Sequence, residues 1–97
     1  MKIRLLLVDD HTMFREALHS MLKMEESVEV VGDLGDGERI EDAVLRLAPD
    51  VVVMDVSMPK TNGACATKRL LAVRPQTKVV ALSGFSSRHF LVEMLDA

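Results

Sequence analysis

The run Val51-Val52-Val53-Met54 has no polar residue in it and ends at Asp55. A strand with one wet face alternates apolar and polar residues, so an unbroken run implies a central strand covered on both faces. Such strands belong to parallel sheets held between layers of helix. Ile3–Val8, interrupted only by Arg4, reads as a second strand of this kind and ends at Asp9 and Asp10.

Helix-period segments lie between the runs. Phe14, Ala17, Leu18, Met21 and Leu22 recur at helical spacing and predict a helix starting near Thr12. Val28–Val31 predicts a short strand broken by Gly32, and Asp36-Gly37 a turn. Ile40, Ala43, Val44 and Leu47 give a second helical stripe stopped by Pro49. After a loop holding Met58, Pro59, Asn62 and Gly63, a third helix is marked by Ala66, Leu70 and Val73 and closed by Pro75. Lys78–Leu82 predicts a fourth strand, and Phe90, Leu91, Met94 and Leu95 a fourth helix. Strands alternating with helices imply right-handed βαβ units, so the expected class is α/β with a doubly wound parallel sheet.

At 97 residues there is room for one core. The formal net charge is −3, no Lys/Arg run exceeds two residues, and three Phe are the only aromatics. That surface is not built to neutralise nucleic-acid phosphates or to stack on bases. Cys65 is the sole cysteine, which excludes an intrachain disulfide and a four-cysteine zinc site and fits a reducing, cytoplasmic location. It reads as a small buried hydrophobe of the third helix. The first residues read as a strand, not a signal peptide. No apolar stretch approaches the roughly 18 residues that span a membrane.

In an open parallel sheet, ligands gather at the carboxyl ends of strands beside a switch point, where Asp9, Asp10, Asp55 and Ser83 all fall. Three carboxylates in one corner raise one another's pKa, so a metal or a shared proton is expected there. Hard oxygens suit Mg²⁺, which completes its octahedron with water and phosphate oxygens. A carboxylate beside the ion can attack phosphorus to give an aspartyl phosphate, and the Ser83 hydroxyl is placed to hold a phosphoryl oxygen.

The residues Leu7-Val8-Asp9-Asp10-His11, Pro49-Asp50-Val51-Val52-Val53-Met54-Asp55, Met58-Pro59, Gly63 and Val80-Ala81-Leu82-Ser83 together resemble the receiver domain of two-component response regulators. Asp9-Asp10-His11 followed by Phe14-Arg15-Glu16-Ala17-Leu18 is similar to the branch that usually carries a LuxR-type helix-turn-helix. The resemblance covers the whole chain. It implies a flavodoxin-like fold with strand order 2-1-3-4. It also implies Asp55 as phosphoacceptor and Mg²⁺ held by Asp9, Asp10, Asp55 and the Ser57 backbone carbonyl. The phosphoryl group would be bound by Ser83 and by the backbone N–H groups of Ser57 and Gly84. The implied partner is a sensor histidine kinase, and the implied output is transcription through a DNA-binding domain outside this chain, with no turnover of an external substrate.

Receivers continue into a fifth strand that begins with a phosphate-pairing Lys, and then a fifth helix; the sequence given stops at Ala97. The expectation is a receiver domain over 1–97, truncated before that strand. Its Lys78–Leu82 edge would then be open to homodimer formation or strand exchange. Two other functions share parts of the pattern. One is a phosphorylation-incompetent receiver-like interaction module. The other is a metal-dependent phosphatase, which would need a general acid where this chain has Ser57. His11 reads as a polar surface residue at a helix start, with a metal-ligand role as the alternative.

Overall fold

The computed structural model describes residues 2–55 and 63–82. The strands are β1 (Ile3–Val8), β2 (Val28–Leu34), β3 (Val51–Asp55) and β4 (Lys78–Leu82); the helices are α1 (Thr12–Leu22), α2 (Ile40–Leu47) and α3 (Gly63–Val73). The expected fourth helix at Phe90–Leu95, and Ser57, Ser83 and Gly84, lie outside the described residues.

All four strands are parallel, in the order β2-β1-β3-β4. Alternation along each strand sends side chains to opposite faces. Leu6, Val8, Val52 and Met54 pack with Ile40, Ala43 and Val44 of α2 and Ala66 and Leu70 of α3. Leu5, Leu7 and Val53 pack on the other face with Leu18 and Leu22 of α1. This double cover is why the runs in β1 and β3 need no polar residue. Each Leu or Val buried in full contributes about 1.5–3 kcal/mol.

Three local readings change. Gly32 does not end β2: the strand continues to Leu34, and the register jumps from Leu5↔Val30 to Leu6↔Gly32, leaving Val31 as the extra residue. A Cβ on Gly32 would lie 2.9 Å from Leu47 Cδ1, so the glycine admits α2 at close range. The buried stripe of α1 is narrow. Leu18 and Leu22 are buried and Phe14 partly so, while Ala17 and Met21 face solvent because the helix meets the sheet along one ridge. Cys65 is exposed on the first turn of α3.

At the amino ends of the strands, Arg4 ties β1 to the end of α2. Its guanidinium donates from Nη2 to the Leu47 carbonyl at 2.6 Å and from Nε to the Ala48 carbonyl at 3.4 Å. These carbonyls have no partner within a helix of their own. Ala48 itself is left-handed (φ 48°, ψ 56°), turning the chain toward Pro49. The Arg4 N–H donates to Asp50 Oδ2 at 2.9 Å, and the Asp50 N–H returns to the Arg4 carbonyl at 2.8 Å, fixing where β3 begins.

Candidate functional site

The register that pairs Leu7 with Val53 and Val8 with Met54 places Asp9 level with Asp55 one step further on. Both aspartates share the parity of Leu5, Leu7 and Val53, so their side chains emerge on the α1 face at the carboxyl ends of adjacent strands. Asp9 is 3% exposed and Asp55 fully buried. Burying ionised carboxylates costs several kcal/mol each unless charge or hydrogen bonds offset it.

The turn after β1 supplies part of that compensation. The His11 N–H donates to Asp9 Oδ1 at 2.8 Å, and His11 Nδ1 lies 2.9 Å from the same oxygen. Nδ1 is also 3.1 Å from Asp10 Oδ1 and 3.6 Å from Asp55 Oδ2. One ring nitrogen can direct at most one hydrogen, and its shortest contact is with Asp9. Asp10 Oδ1 is accordingly buried without a hydrogen bond, despite its proximity to the ring.

One ligand atom from each of Asp9, Asp10, His11 and Asp55 falls within 4.8 Å of all the others. Three carboxylates, one with a buried oxygen lacking a donor, form a donor set able to hold a metal ion. The expected meeting of Asp9, Asp10 and Asp55 is therefore present. His11 is exposed, as expected, yet its ring turns back over the cluster. Arg15 was not singled out by the sequence. Its Nη1 donates to the Asp9 carbonyl, and its spacing of six from Asp9 gives no periodic signal.

Away from this corner, Arg69 of α3 clasps Glu41 of α2, with Nη2 at 2.5 Å and Nε at 3.0 Å from the two carboxylate oxygens. That hydrogen bonding lowers the Glu41 pKa and raises that of Arg69. No described helix is long and apolar enough to cross a membrane.

Comparison with known proteins agrees with this geometry. The chain is 40% identical over 94 residues to the transcriptional regulatory protein DegU of Brevibacillus brevis, covering 97% of this chain and 40% of that one. It is 40% identical over 95 residues to the response regulator GacA of Pseudomonas viridiflava, covering 98% and 44%. It thus spans about two fifths of the length of these relatives. The response regulator domain of Thermotoga maritima CheB superposes with a TM-score of 0.74 at 31% identity, over 99% of this chain and 72% of that one. Residues 5–97 match the family described as the response regulator receiver domain, and the chain belongs to that family.

Proposed function

We propose that this domain is a phosphoryl-accepting switch in which Asp55 takes a phosphoryl group from a phosphohistidine of a sensor histidine kinase. The observation that carries this reading is the convergence of Asp9, Asp10 and Asp55 at the carboxyl ends of β1 and β3. A carboxylate oxygen of Asp55 attacks phosphorus, the P–N bond to the donor imidazole breaks, and the imidazole nitrogen keeps the electron pair. The carboxylates of Asp9, Asp10 and Asp55 and the backbone carbonyl of Ser57 would hold Mg²⁺, which would supply positive charge against the transferring oxygens. The Ser83 hydroxyl and the N–H groups of Ser57 and Gly84 donate to the phosphoryl oxygens. The new charge draws Ser83 inward and shifts the domain between states that present different surfaces.

The domain is both substrate and catalyst of its own modification and turns over no external substrate. It works in the cytoplasm. DegU is named as a transcriptional regulatory protein, and transcription through a DNA-binding domain beyond these residues is the output that fits. Incubation of the protein with acetyl phosphate and Mg²⁺ tests the reading: a mass increase of one phosphoryl group is expected, absent without Mg²⁺ and absent in Asp55→Asn. An unmodified protein under these conditions would favour a phosphorylation-incompetent interaction module.

A further inference from the structure

We infer that Arg15 is a positioning residue for the acidic cluster, setting the affinity for Mg²⁺ through the backbone of Asp9; this rests on the functional reading above. The guanidinium has a built seat. Nη1 donates to the Asp9 carbonyl, Nε stands at ion-pair distance, 3.5 Å, from Asp33 Oδ1 without a hydrogen bond, and the side chain is only 16% exposed. Gly35 lies alongside: a Cβ there would make ordinary van der Waals contact, 3.4 Å from Nη1 and 3.9 Å from Nη2. Asp33 Oδ2 also lies 3.7 Å from Nδ1 of His19, a second α1 side chain.

The consequence lies in what the Asp9 carbonyl controls. The Asp9 N–H donates to the Leu34 carbonyl at 3.0 Å, and its carbonyl is taken by Arg15, so both polar groups of its backbone are fixed. The orientation of the Asp9–Asp10 peptide is then set, and with it the direction in which the Asp10 carboxylate leaves the chain. Mg²⁺ demands near-octahedral oxygens at short distance and tolerates little displacement of a ligand. Groups that orient ligands commonly change metal affinity by 10–100-fold when lost.

Electrostatics alone would act in the opposite direction. A guanidinium beside a cation site repels the ion, so removing its charge should tighten binding if charge were its only role. Lysine keeps the charge but offers one compact ammonium on a flexible stem in place of the rigid guanidinium whose Nη1 reaches the Asp9 carbonyl.

The test is calorimetric titration of Mg²⁺ into the protein and its variants, with amide hydrogen exchange at Asp10 and His11 measured without metal. Arg15→Lys and Arg15→Met should each weaken Mg²⁺ about tenfold and speed exchange at these two amides. Asp10→Asn should abolish binding. Wild-type affinity in Arg15→Lys, or tighter binding in Arg15→Met, would overturn the positioning role while leaving the phosphoryl switch standing. Failure of the wild-type protein to bind Mg²⁺ would instead overturn the functional reading beneath it.

Discussion

His11 Nδ1 lies 3.6 Å from Asp55 Oδ2, over the corner where Asp9 and Asp10 also meet. The same Nδ1 faces the carboxylates of Asp9 and Asp10, so the ring offers the cluster at most one donor through it. A hard cation that prefers oxygen would take over that role and release the ring, whereas a softer ion would recruit it.

Exchange of metals separates these cases. His11→Ala should leave Mg²⁺ affinity within about threefold of wild type, because the ligands that remain are the oxygens Mg²⁺ selects. The same variant should weaken Zn²⁺ by about tenfold or more, since imidazole suits that ion. Calorimetry with both metals reads the difference; equal losses for the two would place the imidazole in the Mg²⁺ shell.

Like charge in the corner should be visible as stability. Without metal, Asp10→Asn should melt above the wild type, because one of three clustered negative charges is gone. On adding Mg²⁺ the order should reverse: wild type gains about 2.7 kcal/mol at a concentration a hundredfold above Kd, and the variant gains little. Thermal melts with and without the ion check both signs.

The Glu41–Arg69 clasp between α2 and α3 gives a pH dependence. Glu41 has a folded-state pKa below its ordinary value of 4.5, chiefly through its hydrogen bond from Arg69. Its stabilisation is therefore complete above that ordinary value and is lost as pH falls through the lower folded value. Arg69→Met should be less stable than wild type at neutral pH, by the small amount typical of solvent-exposed pairs, and the difference should shrink in acid to what the Arg69 hydrogen bond to the Glu38 carbonyl contributes. Urea midpoints across pH 3–7 measure it.

Arg4 and Arg15 sit at opposite ends of the sheet and should fail differently. Arg4→Met leaves the Leu47 and Ala48 carbonyls without their donor and should cost about 1–3 kcal/mol of stability. Its folded form should bind Mg²⁺ like wild type, because the carboxylates stand at the carboxyl ends of β1 and β3. Denaturant unfolding together with calorimetry distinguishes a fold defect from a site defect.

Which of these features could be read from sequence depends on their range. The layer order follows from Val51–Met54, since only a strand covered on both faces tolerates that run, and strand alternation carries the argument to Asp9 and Asp55 sharing a face. Where tertiary geometry chose between local options, sequence was a poorer guide. Gly32 resembles a strand breaker, but the approach of Leu47 and the extra residue at Val31 make it a bulge. Ala17 and Met21 fit a helical stripe, yet α1 meets the sheet along too narrow a ridge to bury them. His11 and Arg15 act through where their side chains turn, and no spacing encodes that.

Trapping the acyl phosphate identifies the residue that carries the phosphoryl group. After treatment with acetyl phosphate and Mg²⁺, borohydride reduces an aspartyl phosphate to homoserine, and peptide mass spectrometry locates the converted residue. Homoserine is expected at position 55, with Asp9 and Asp10 unchanged. Conversion at Asp9 or Asp10 with Asp55 intact, or no conversion at any aspartate, would contradict Asp55 as the phosphoacceptor.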